Sequence, residues 1–221
     1  MKLIYNPLGL SMDITESGQN VVVLENNDEF EKFILRLSTK IEGCEEYFLT
    51  DEETPLFFKR MKIVTSPFDL SITEREMQKK LYSYLQEEIE VSPIIEELVK
   101  AHSEMVESLE KLNVYSDFEV DFDDNFVIAS VLKNMNVRLK GIEGSFCARL
   151  IFAGDVFHKL LDKDILILCN CDAYLQEDDY ELIEKWCSYN NITMLFVRNQ
   201  QISSPIYTNE YIIDKDLCIL H

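Results

Sequence analysis

Two nearly continuous apolar runs fall in the last quarter of the chain, Asp164–Cys171 (DILILCNC) and Ile192–Val197 (ITMLFV), with an acid-led amphipathic segment, Gln176–Asn190, between them. Strands covered on both faces read as continuous hydrophobic runs, whereas half-buried strands alternate. Strand, helix and strand with short links therefore predict a parallel βαβ unit. Asn20–Glu25 (NVVVLE) predicts another buried strand, and Asp28 caps a helix whose apolar positions Phe30, Phe33, Ile34 and Leu37 recur at helical spacing. Residues 1–14 predict two short strands around the turn Asn6-Pro7-Leu8-Gly9. Glu46–Thr50 and Lys62–Thr65 predict strands joined by a loop at Thr54-Pro55, and YIID and LCIL around Lys215-Asp216 predict a terminal hairpin.

The middle of the chain has a different period. Thr73-Glu74-Arg75-Glu76 is a capping box, and the helix it opens carries Met77, Leu81, Leu85 and Ile89. Ser92-Pro93 starts a second helix, with proline at the first helical position. It runs to about Leu112, with Leu98, His102, Met105, Leu109 and Leu112 on one stripe. A stripe of that spacing predicts an antiparallel packing of the two helices as a hairpin. An acidic hinge, Ser116–Asn125, leads to a helix over Phe126–Met135, and another helix spans about Ser145–Leu161. The expected fold class is α/β: a head with a mixed, partly parallel sheet from residues 1–70 and 140–221, and an inserted α-helical leg from 71–139.

The 221 residues, 47% of them hydrophobic, suffice for one sizeable core or a core with a smaller lobe. No apolar run approaches the roughly 20 residues of a membrane span, and the start, MKLIYNPLGL, lacks the apolar core of a signal peptide, so a cytoplasmic location is expected. The formal net charge of -20 opposes a nucleic-acid partner unless the bases are segregated. They cluster in part: Lys59, Arg60 and Lys62; Lys79 and Lys80; Lys133, Arg138 and Lys140. These eight are the candidate phosphate contacts. The six cysteines, at 44, 147, 169, 171, 187 and 218, sit mostly in apolar runs and read as reduced and buried. Cys169 and Cys171, with His158 and His221, lack the spacing of a zinc site. His102 reads as an interface histidine rather than a ligand.

A phosphate-binding loop needs glycines, a lysine and a hydroxyl so that backbone N–H groups close on the phosphate. Here NVVVLE is followed by Asn26-Asn27-Asp28-Glu29, whose acids repel phosphate. DILILCNCD ends on Asp172 in the manner of a magnesium-binding strand, but without a phosphate loop it reads as an ordinary strand end. No serine lies in G-x-S-x-G. The densest local candidate is the hinge, where Glu119, Asp121, Asp123 and Asp124 offer the carboxylate oxygens a hard cation needs. Asp121, Asp123 and Asn125 imitate an EF-hand opening, but Phe126 stands at the required glycine and Leu132 at the bidentate glutamate.

The order of parts resembles a known family. NVVVLE with the helix Glu29–Leu37, Val64-Thr65 leading into Phe68-Asp69-Leu70, the helical hairpin, the acidic hinge, VLKNMNVRL (Val131–Leu139), DILILCN with AYLQEDDYELIEKW, and MLFVRNQQI with YIIDKDLCIL are together similar to the short form of the CRISPR-associated adaptation protein of type II-A systems. The resemblance covers nearly the whole chain and is strongest after Asp164. It implies a degenerate P-loop-like head with a helical leg and a homotetrameric ring whose hole holds double-stranded DNA, preferably entered at ends. It further implies Ca²⁺ stabilising the ring, no catalysis, and as partners the CRISPR integrase proteins and effector nuclease of the same locus. By position, Lys133 and Arg138 match basic positions of the family's third leg helix and the strand after it, and Glu119, Asp121, Asp123 and Asp124 match its acidic hinge. Two other readings of the residues stand beside this one: a protein-binding scaffold, suited by the acidity and the helical lobe, and a nucleotide hydrolase with an unorthodox site.

Overall fold

The computed structural model describes residues 1–38, 48–49, 60–68, 70, 75–202 and 209–220. Thr73 and Glu74 of the expected capping box, the Thr54-Pro55 loop, all but two residues of the strand expected over Glu46–Thr50, Asp69, Cys44, Lys59 and His221 lie outside the described residues. The chain divides into two compact units, one formed by Met1–Ile72 with Gly141–His221, the other by Thr73–Lys140.

The first unit opens with β1 (Lys2–Tyr5) and β2 (Leu10–Asp13), joined by a single 3-10 turn at Asn6–Leu8. Gly9 closes that turn at φ +63°, a conformation that side chains with a Cβ rarely adopt. The strands β3 (Gln19–Leu24), β4 (Phe48–Leu49) and β5 (Met61–Val64) follow, with α1 (Asn27–Ser38) after β3. The second unit holds α2 (Arg75–Glu90), α3 (Ile94–Glu110), a single turn α4 (Leu112–Tyr115) and α5 (Ile128–Asn134). The chain then returns to the first unit with α6 (Phe146–Leu161), β6 (Ile165–Cys169), α7 (Glu177–Asn190), β7 (Thr193–Arg198), β8 (Glu210–Ile213) and β9 (Ile219–Leu220).

Six strands form the main sheet in the order β5-β6-β7-β3-β8-β9. All neighbours are parallel except the terminal β8–β9 pair, the hairpin read from the sequence. Alternate residues explain the continuous apolar runs. Ile165, Ile167 and Cys169 of β6, Leu195 and Val197 of β7, and Val22 and Leu24 of β3 join one core with Leu3, Tyr5, Leu10 and Met12 of the small β2-β1-β4 sheet and Phe33 and Leu37 of α1. The opposite face meets α6 and α7: Phe196 lies 5.9 Å from the Tyr180 ring, and Leu166 lies beside Gly154. Both faces are covered, so the middles of these strands are apolar on both sides, with polar residues only toward their ends.

Each helix end has a local cause. Ser145 caps α6, its hydroxyl accepting from Ala148 N at 3.2 Å. Gln176 and Asp179 form a reciprocal capping box on α7. α6 and α7 end on Asp162 and Asn191, both left-handed at φ +54° and +56°.

In the helical unit the two helices follow one another and touch as the expected hairpin does, and Leu98, His102 and Leu109 of the stripe are half-buried. α3 follows α2 after three residues, yet no residue of α3 is buried, and Met105 and Leu112 of the expected stripe are 54% and 44% exposed. α2 also packs against α5, and the buried side chains of those two helices are Met77, Leu81, Ile128 and Leu132.

Candidate nucleic-acid interface

In open parallel sheets, ligands bind beyond the carboxyl ends of the strands, where successive crossovers diverge. Here β3 sits between β7 and β8, so that place is the turn from β3 into α1 and the neighbouring end of β7. It holds no phosphate cradle. Asn26 Oδ1 accepts from Glu29 N at 3.2 Å, and Asp28 and Glu29 occupy the first turn of α1. Glu29 is buried, accepts a hydrogen bond from the Tyr5 hydroxyl, and meets Lys32 Nζ at 3.4 Å. The helix therefore satisfies its own positive end with its own acids, where a bound anion would otherwise sit. Asn199 N donates to Asn170 Oδ1 at 3.2 Å, and Asn26 Nδ2 donates to Lys215 O at 3.1 Å, so side-chain amides lace this edge together.

Asp172, read from sequence as an ordinary strand end, is in fact half of a buried ion pair. Arg198 Nε donates to its carboxylate, and the two side chains are only 1% and 2% exposed. Arg198 was missed in the sequence. The available signal was an arginine closing one apolar run while an aspartate follows another, since parallel neighbours deliver such residues to the same end of a sheet. With its carboxylate committed to Arg198, Asp172 is not presented to a magnesium ion.

The candidate bases divide between the two units. Arg60 is engaged by Asp164, both Nε and Nη2 donating to the carboxylate. That hydrogen bonding raises its pKa above the ordinary arginine value. Lys62 is half-buried, with Nζ 4.9 Å from the centroid of the Phe157 ring. These two are therefore held by the first unit's own side chains. Lys79, Lys80, Lys133, Arg138 and Lys140 all belong to the second unit and are exposed. None of the five is ion-paired to another described residue.

Charge is sorted within that unit. Lys79 and Lys80 lie in the first half of α2, Lys133 lies in α5, on which α2 packs, and Arg138 and Lys140 follow α5 directly. Acids gather toward the far end of α2 (Glu87, Glu88, Glu90) and along α3 (Glu96, Glu97, Glu104, Glu107, Glu110).

The hinge carboxylates Glu119, Asp121, Asp123 and Asp124 are exposed. Asp121 Oδ1 accepts from Phe122 N at 3.0 Å, and Asp123 Oδ1 accepts from Asn125 N at 3.0 Å, so two of them cap local turns. Asn113 and Val120 clasp the start of the hinge through Val120 N to Asn113 Oδ1 at 2.7 Å. Among the described residues no three His, Cys, Asp or Glu side chains gather as metal ligands.

The histidine and cysteines take structural places. The His102 ring stands 5.3 Å from that of Phe126, half-buried within the helical unit. Cys147, Cys169, Cys171 and Cys187 are buried, and Cys218 is exposed. Burial, and then the neighbouring Cys171, push the Cys169 thiol up to about 12, and burial followed by Asp179 does the same for Cys147. Such thiols stay protonated and are poor nucleophiles and metal ligands.

Comparison with known proteins bears on the fold and the family. A crystal structure described as that of Stu0660 of Streptococcus thermophilus shares the fold, with a TM-score of 0.54 at 15% identity, covering 89% of this chain and 68% of that one. CRISPR-associated protein Csn2 of Enterococcus faecalis is 22% identical over 188 residues, 83% of each chain. Its counterpart from Streptococcus agalactiae is 20% identical over 176 residues, 77% of this chain and 76% of its own. The profile of one family, CRISPR-associated protein (Cas_Csn2), matches residues 41–217 and so takes in the acidic hinge, the helical unit and the βαβ unit alike. The chain belongs to the Csn2 family of CRISPR-associated proteins.

Proposed function

We propose that this chain is a non-catalytic protein of CRISPR spacer acquisition that binds double-stranded DNA, independent of sequence, at its ends as a homotetrameric ring in the cytoplasm. The observation that carries this reading is the sorting of charge in the helical unit. Five exposed bases without ion pairs lie on the packed pair α2 and α5 and the segment after it, while the acids of α2 and α3 lie apart from them. Sorted charge lets a chain of net charge -20 meet phosphate, because exposed charges more than about 10 Å apart are largely screened from each other in physiological salt. Lys79, Lys80, Lys133, Arg138 and Lys140 are the phosphate contacts in this reading. Arg60 and Lys62 contribute less, being held by Asp164 and Phe157, and Lys59 precedes them in the sequence.

The exposed apolar side chains of α3 support self-association. The helix is only half-buried along Leu98, His102 and Leu109 and exposes Ile94, Val99 and Met105, and a copy of the same chain offers a symmetric cover. The head reads as a degenerate P-loop-like domain. Its parallel strand order suits a nucleotide fold, while Glu29 and the Arg198–Asp172 pair stand where phosphate and magnesium would bind, which disfavours hydrolysis. Calcium belongs to the assembled state in this reading. The hinge acids need further ligands from an assembly before they converge on an ion, and neutralising them would favour both assembly and DNA. The integrase proteins and effector nuclease of the same locus are the expected protein partners.

The test is a fluorescence-anisotropy titration of a linear duplex across salt, with and without Ca²⁺, for the natural chain and for Lys79→Gln, Lys133→Gln and Arg138→Gln. Each phosphate contact removed lowers the slope of log affinity against log salt by about 0.9. An absence of binding in every condition rejects the reading. A mutation-independent slope moves the interface elsewhere on the chain.

A further inference from the structure

The carboxyl ends of β5 and β6 carry a row of side chains that the phosphate contacts above leave unused. The two strands are parallel neighbours, so the segments that follow them emerge at the same end of the sheet. Phe68 comes from the segment after β5 and Tyr174 from the segment after β6. Their ring centroids lie 6.5 Å apart at an interplanar angle of 70°. Tyr174 in turn lies 5.9 Å from Phe146, and the Arg149 guanidinium carbon stands 6.0 Å from the Phe146 centroid. Phe68, Tyr174, Phe146 and Arg149 are thus linked by successive contacts. Phe146 is buried and anchors the row, whereas Phe68 is 77% and Tyr174 52% exposed.

Two further observations give the row a polar character. α6 leads into β6 and runs back along the sheet, so its N-terminus lies at this same carboxyl end. Its first turn contains Arg149 and no acid, whereas α1, α3 and α7 all begin with acids. Arg149 Nε is itself buried with no hydrogen-bond partner among the described residues. Exposed rings beside an arginine form the platform on which unpaired bases stack, since every base has a π face whatever its identity. The row lies at the carboxyl end of the sheet, as does the β3–α1 turn, but toward the β5 edge. The carboxylates at the start of α7 are near, for Cys147 Sγ lies 3.9 Å from Asp179 O. Asp179 is committed to its own cap, accepting from Gln176 N at 2.8 Å, while Glu177 and Asp178 are exposed. Those carboxylates oppose duplex phosphate at this spot and leave stacking as the main attraction.

We propose that Phe68 and Tyr174 form a stacking ledge for an unpaired nucleobase at a DNA end, with Arg149 meeting the adjoining phosphate. The proposal rests on the DNA reading above and adds to it a discrimination between blunt and frayed ends. The experiment compares anisotropy titrations of one duplex made blunt or with a three-nucleotide single-stranded overhang, at matched salt. The natural chain is expected to favour the overhang by about tenfold, the order of one stacked base. Phe68→Ala and Tyr174→Ala are expected to abolish that preference while leaving the blunt duplex bound within about twofold, and Tyr174→Phe to keep it. Circular dichroism checks the fold of each variant, and Phe68, being largely exposed, is the variant least able to disturb it. Binding of both duplexes with no overhang preference overturns the ledge and leaves the DNA reading standing. Binding of neither overturns both. A change in oligomeric mass on light scattering in the alanine variants, with the overhang preference intact, assigns the rings to a protein contact and also overturns the ledge.

Discussion

Replacing Asp172 by alanine leaves the Arg198 guanidinium buried without its carboxylate. Arg198 Nε donates to Asp172, their side chains are 1% and 2% exposed, and the pair joins the end of β7 to the turn after β6. At that depth, removing one partner of an ion pair costs about 3–5 kcal/mol, chiefly because the remaining charge stays desolvated. For a unit of this size that corresponds to a fall in Tm of roughly 10 °C. Replacing both residues by apolar ones, Asp172→Leu with Arg198→Met, removes the stranded charge, so the double variant is expected within about 2 kcal/mol of the natural chain and above either single variant. Urea unfolding followed by the fluorescence of Trp186, the single tryptophan, reports on the unit that holds the pair. A loss below about 1 kcal/mol for Asp172→Ala, or a double variant less stable than both singles, would refute the reasoning.

Further expectations follow from particular contacts. A Cβ at Gly154 would stand 2.3 Å from Trp186 Cη2, and Trp186 Nε1 is held by Asp155 Oδ1 at 2.9 Å, so Gly154→Ala should cost about 1–3 kcal/mol and shift the Trp186 emission. The raised thiols give an alkaline limit. Cys169 moves from 9.0 to about 12, so the folded state keeps a proton that the unfolded chain loses. This contribution is fully present below pH 9 and declines as pH rises through 12, at about 1.4 kcal/mol per pH unit, and comparison of urea midpoints at about pH 8 and about pH 10.5 measures it. Of the described cysteines, only Cys218 should be alkylated by iodoacetamide in the native state, as peptide mapping will show. Met105→Glu, at an exposed position of α3, should lower the mass seen by light scattering if that face joins copies, and an unchanged mass would place the contact elsewhere.

The elements most legible in the sequence were those whose pattern is set by burial alone. The β6-α7-β7 unit was visible because an interior parallel strand must be apolar on both faces, and Ile165–Cys169 and Thr193–Arg198 are buried at every position. The terminal hairpin was visible because Lys215-Asp216 interrupts two short apolar runs. What stayed hidden were the partners chosen by topology. Arg198 finds Asp172, 26 residues away, and Arg60 finds Asp164 across 104 residues, and nothing in local spacing encodes either pairing. The stripe on α3 shows a related gap. Periodicity identifies a face that seeks cover without naming the cover: Leu98, His102 and Leu109 are half-buried, His102 against Phe126, while Met105 is exposed. Composition likewise did not show that Arg60 and Lys62 are already engaged while the five leg residues have no ion pair among the described residues.

The central claim is that a ring of this acidic chain admits duplex DNA through its ends onto an inner wall of few bases. The direct measurement is competition for a labelled linear duplex by the same sequence as a covalently closed circle and as the linearised circle, in calcium and moderate salt. The linearised form should compete fully and the closed circle hardly at all, with cutting restoring competition. Equal competition by the closed circle, or none by either form, would contradict it.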